Sequence, residues 1–115
     1  MYRANSPQEL LKLMMGNKFP IVTSDSDTIK VIKTLDSLKK KGVTTTILKK
    51  FLTSKSSDSV GYSDDVLCIE AEVQIVLTIV TAATLIALVA LWMGKNVKVI
   101  FKPDGSVVVE TKSEL

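Results

Sequence analysis

From Val73 to Met93 the chain reads VQIVLTIVTAATLIALVALWM, 21 residues without a single charge. At 1.5 Å per residue a continuous helix over this run is about 31 Å long, close to the hydrocarbon thickness of a bilayer. Leu, Ile and Val dominate it, Ala and Thr fill most other positions, and the one strongly polar side chain, Gln74, lies at its edge. On an insertion scale of roughly −0.3 to −0.6 kcal/mol per large aliphatic residue, such a run favours lipid. Trp92 stands where an interfacial aromatic belongs, with Lys95 placed to snorkel beyond it. The competing reading is the buried centre of a soluble domain. A rod apolar on every face must be wrapped by the rest, and a chain of 115 residues has little left for that. The sequence therefore predicts one transmembrane helix over 73–93.

Composition removes several classes of chemistry. There is no histidine, which excludes imidazole acid/base catalysis and imidazole metal ligation. One cysteine, Cys68, excludes an internal disulfide, and its setting in DVLCIEA reads as a buried structural thiol rather than a nucleophile. The formal net charge of +3 is too small to argue for nucleic acid. Lys39, Lys40 and Lys41, with Lys49 and Lys50, fit a solvated helix end complementing its macrodipole better than a phosphate or headgroup site.

The N-terminus lacks the apolar stretch and cleavage pattern of a signal peptide. In SPQELLKLMMG, Ser6 is a candidate N-cap, with Pro7 at the first helical position, Glu9 completing a capping box and Gly16 ending the helix. Phe19 to Ser24 reads as a short strand. An amphipathic helix follows, capped at Asp25 or Ser26, with Ile29, Ile32, Leu35 and Leu38 on one face and Gly42 past its end. Residues 43–52 fit a strand or further helical turns, and TSKSSDSVGYSDD reads as a Ser-rich linker leading to an acidic membrane entry over 53–72. After the apolar run, NVKVIFKPDGSVVVETK predicts a β-hairpin over 94–115. Pro103 presets its turn, Asp104 follows, and Gly105 takes the left-handed conformation.

Few residue groups invite chemistry. Asp25 and Asp27 in SDSDT resemble paired carboxylates of a phosphotransferase, but a helix N-terminus accounts for both. Asp64, Asp65, Glu70 and Glu72 suit a solvated acidic flank better than a hard-cation site. No catalytic residue, cofactor or metal site is expected, and neither is a small-molecule substrate or nucleic acid. Within the apolar helix, Val76, Val80, Ala83, Ala87, Ala90 and Gly94 recur at spacings of four and three, a face that allows close helix packing. Thr78, Thr81 and Thr84 form a second stripe, whose hydroxyls bond back to the helix or line a pore.

The order of SPQELLKLMMGNKFPIV, a charged helix, EAEVQIV and an apolar helix, then GKNVKVIFKPDGSVVVET, resembles short uncharacterised bacterial membrane proteins, most specifically in PDGSVVVE. The resemblance implies a membrane location and assigns no activity to any residue.

The expected architecture is α+β: an N-terminal helix-strand-helix module over 1–52, a linker, one transmembrane helix and a C-terminal hairpin. Lysines flanking the span place the C-terminus in the cytoplasm. The expected function is a single-span interaction or assembly module, not an enzyme. Its partners are the lipid bilayer and either a second copy, through the small-residue face, or another membrane protein. A holin-like or toxin-like permeabilising protein and a soluble scaffold with a buried apolar helix are the alternatives. One observation separates these topologies. In a single-span protein the strand at 19–24 and the hairpin lie on opposite sides of the membrane and cannot pair.

Overall fold

The computed structural model describes residues 1–53 and 64–111, with the backbone alone for Phe51, Thr53 and residues 64–70. The first helix, α1 (Pro7–Met15), begins as its sequence dictates. Ser6 Oγ accepts the Glu9 N–H at 3.1 Å, and the Glu9 carboxylate reaches back to the Asn5 N–H at 2.8 Å, one residue before the cap. Gly16 is its C-cap, but the left-handed residue is Asn17, at φ 57°. The second helix, α2 (Ser26–Lys40), is capped by Asp25 and closed by Gly42 at φ 73°, where the Val43 N–H donates to the Leu38 carbonyl at 2.9 Å. This closure is a Schellman stop that turns the apolar Val43 inward, where it is buried. The ambiguous stretch after it is helical: α3 (Thr45–Thr53) starts at Thr44, whose hydroxyl accepts the Ile47 N–H.

The expected transmembrane helix does not form. Residues 73–93 are divided between α4 (Asp64–Leu77) and α5 (Ala82–Gly94), and the chain bends by 118° between them. No single helix among the described residues is long and apolar enough to cross a membrane. The cause is local. Thr78, Ile79, Val80 and Thr81 are four consecutive β-branched residues, which crowd a helical backbone. Thr78 Oγ donates to the Ile75 carbonyl at 2.6 Å while α4 tightens into 3₁₀-type bonds. Thr81 then turns extended and caps α5, accepting the Thr84 N–H at 3.2 Å. Because the run is folded into two shorter helices, the remaining residues need not wrap a 31 Å rod. Trp92, expected at an interface, is buried with Leu85, Leu88 and Val89 on the inner side of α5. That side packs on α1, α2, α3 and α4, making α5 the centre of the core. Residues 54–63 of the expected linker lie outside the described residues, and residues 64–72 belong to α4.

Among the described residues four strands complete the fold: β1 (Tyr2–Arg3), β2 (Ile21–Thr23), β3 (Val97–Phe101) and β4 (Val107–Thr111), in the spatial order β1-β2-β4-β3. β1 runs parallel to β2, and both β2 and β3 run antiparallel to β4. The C-terminal hairpin is therefore not an appendage. It joins the N-terminal module in one sheet through the pairs Ile21↔Val109, Val22↔Val108 and Thr23↔Val107. That pairing places the two ends of the chain together and is incompatible with a single crossing between them. Ile21, Val97, Val107 and Val109 face the helices and join the hydrophobic core, with Val99 packed against it, whereas Val22, Ile100 and Val108 lie on the opposite face. The helices pack on one face of the sheet, giving two layers.

Candidate functional site

The residues that the sequence singled out do not converge. Val76 and Val80 are buried in the core, Ala87 is half-buried, and Ala83, Ala90 and Gly94 are exposed, so the bend divides the expected packing face. Thr81 and Thr84 hydrogen-bond to each other at 3.0 Å, and with Thr78 they serve the helix ends. Asp25 accepts from both the hydroxyl and the backbone N–H of Thr28, at 2.7 and 2.9 Å, as a cap does. The hydroxyl bond, then the amide bond, holds its carboxyl below the usual aspartate range. Glu72 pairs with Lys41 at 3.8 Å, while the side chains of Asp64, Asp65, Cys68 and Glu70 lie outside the described residues. No cluster of metal-binding side chains occurs among the described residues.

The hairpin turn is built from local chemistry. The Gly105 N–H donates to the Lys102 carbonyl at 3.0 Å, and the Lys102 N–H donates to the Ser106 carbonyl at 2.9 Å. Pro103 and Asp104 occupy the turn, and Gly105, at φ 93°, supplies the positive angle of the following bulge. Asp104 Oδ1 accepts from the Ser106 hydroxyl at 2.6 Å and from its N–H at 2.9 Å; the hydroxyl bond, first of the two, lowers the pKa of Asp104. The turn fixes the register of β3 on β4 from Val97↔Thr111 to Phe101↔Val107.

That register determines which backbone groups of β3 are free. In an antiparallel ladder the residues of a strand alternate between bonding to their neighbour and pointing away from it. The bonded position at Lys102 and Ser106 makes Ile100 and Lys98 the residues whose N–H and C=O groups face β4. The backbone groups of Val97, Val99 and Phe101 face the open edge. Val97 fits this phase, because its carbonyl accepts from Lys39 Nζ of α2 at 3.4 Å and its N–H donates to the Lys95 carbonyl. Val99 and Phe101 have no backbone partner on that side among the described residues.

Beside this edge runs a groove between β3 and α2. One stretch encloses about 540 Å³ and is lined by Asp36, Lys39, Lys40, Val97, Lys98, Val99 and Phe101. A second, of about 590 Å³, continues past Phe101 along Lys33, Asp36, Ser37, Lys40 and Lys41. Phe101 is 51% exposed, an aromatic ring left half in water at the junction of the two. Five lysines stand against one aspartate, and Asp36 is already paired with Lys40 at 3.2 Å. The site therefore combines unpaired strand groups, an apolar floor and a cationic rim.

Sequence reasoning found the hairpin and the lysine cluster separately and missed the groove between them. The signal was the spacing of Lys33, Ser37 and Lys40 along one side of α2, opposite its buried stripe. Compared with known proteins, the chain matches no family model, no curated protein and no solved structure.

Proposed function

We propose that this chain is an interaction module that captures an extended segment of a partner along the free edge of β3. The observation that carries this reading is the pair of outward backbone positions at Val99 and Phe101, lying beside an apolar groove floored by their own side chains. Adding a strand satisfies main-chain donors and acceptors, and the groove then reads alternate side chains of the added strand. Natural sheets cover or blunt an open edge unless it is used, and Lys98 is the one charge within this strand. No catalytic chemistry enters this reading.

The test is selection of a random displayed peptide library on the full chain, followed by amide NMR of the recovered peptides in complex. Peptides that protect and shift the Val99 and Phe101 amides support strand capture. Peptides whose shifts map elsewhere overturn it.

A second reading, homotypic assembly, is favoured by one observation. The outer side of α5 carries no charge, and Ala82, Ala83, Ala90, Met93 and Gly94 are exposed along it.

A further inference from the structure

Resting on the strand-capture reading, we infer that the segment taken up by β3 is acidic, comes from a different protein, and presents carboxylates on both sides of an apolar side chain. The residues around the edge specify this composition. A strand added beside β3 alternates its side chains between the two faces of the sheet, as β3 itself does. On the helix side, one side chain meets Val99 and the exposed ring of Phe101, and its neighbours on the same face meet the α2 lysines. On the opposite side, the added strand runs beside Lys98 and Ile100, with Lys102 just past the end of β3. Carboxylates find an ammonium on either face.

The lysines are not equally engaged. Lys40 holds Asp36 and Lys41 holds Glu72, while Lys39 bonds the Val97 carbonyl. Lys33 has no ion-pair partner among the described residues, and Lys98 stands opposite Glu110 in the ladder without closing an ion pair to it; both lysines line the groove. They are the cations most available to an incoming carboxylate. The same charges act against a second copy. Pairing β3 with β3 of another chain would bring two basic grooves together, and like charges across a docked edge are unfavourable. The cationic rim thus guards the edge against self-pairing while admitting an acidic strand.

Surface charges of this kind act on encounter and are screened by salt, so the affinity of an acidic strand should fall as ionic strength rises. The probe is a fluorescein-labelled heptapeptide with one central Val and three Glu on either side of it, which puts carboxylates on both faces of the added strand, compared with its Lys/Val counterpart. Binding to the full chain is read by anisotropy and by amide shifts. The acidic peptide is expected to bind at least tenfold tighter than the basic one at low salt and to shift the Val99 and Phe101 amides. Lys33→Glu combined with Lys98→Glu is expected to weaken it tenfold or more, with the circular dichroism spectrum unchanged. Equal binding of both peptides with the same shifts overturns the acidic assignment and leaves strand capture standing. Acidic binding that is indifferent to Phe101→Pro and leaves both amides unshifted overturns strand capture itself. If the double variant loses its fold, Lys98→Gln alone replaces it, and undiminished binding by that variant contradicts the assignment.

Discussion

Asp25 and Asp104 each accept a hydroxyl and a backbone N–H from one residue, Thr28 and Ser106 respectively. Both carboxyls are consequently held below the ordinary aspartate range, through the hydroxyl bond first and the amide bond second. The ionised form is the acceptor, so the folded pKa lies under the unfolded value of about 3.9. The stability that these bonds supply is present above the unfolded value and is lost as pH falls through the folded values. Carboxyl titration followed by NMR should give midpoints for Asp25 and Asp104 below that of a peptide aspartate. Thr28→Val should raise the Asp25 midpoint alone; midpoints at or above the peptide value would contradict the geometry. These features were legible in the sequence because caps and tight turns are decided by residues two or three positions apart. Gly105 is a further case, since its φ of 93° was implied by the turn residues around it.

The elements divide by how local their causes are. α1 and α2 follow from N-caps and an apolar stripe visible in sequence, and α2 also from its glycine stop at Gly42, whereas the left-handed residue that closes α1 is Asn17 rather than Gly16. The apolar run misled for a physical reason: hydropathy adds residues without regard to where the backbone turns. The break was written in Thr78-Ile79-Val80-Thr81, where a β-branched run meets a capping threonine. The resulting α5 has two sides with different duties, and substitution separates them. Leu88→Ala, on the buried side, should cost about 2–5 kcal/mol in urea unfolding. Ala83→Glu with Ala90→Glu, on the exposed side, should change stability by about 0.5 kcal/mol or less per site. If α5 mediates homotypic assembly, the same pair should convert dimer to monomer in sedimentation velocity. Stability loss matching Leu88→Ala would place that side in the core, and unaltered association would remove assembly through α5.

At the scale of the whole molecule, one pairing organises everything: β4 inserts between β2 and β3. It brings residues at the two ends of the chain into register, seals the core with Val107 and Val109, and leaves β3 rather than β4 at one edge of the sheet, with β1 at the other. The sequence offered both strands and did not reveal their partnership, because strand pairing over such a separation depends on how the intervening helices fold. A chain with an unbroken helix over 73–93 would have kept these strands apart, and the groove between α2 and β3 would not exist. Val22 and Val108 face each other on the side of the sheet away from the helices. The backbone groups of Val22 turn toward β1, since its carbonyl accepts the Ala4 N–H at 2.9 Å. Val22 and Val108 are thus a non-hydrogen-bonded pair, whose Cα separation of about 4.5 Å suits a disulfide. With Cys68→Ser as background, Val22→Cys and Val108→Cys should close an intramolecular disulfide on mild oxidation, seen as a monomeric chain with faster non-reducing mobility. A chain that stays open, or one that crosslinks between molecules alone, would contradict the paired β2 and β4 on which this fold and its docking edge depend.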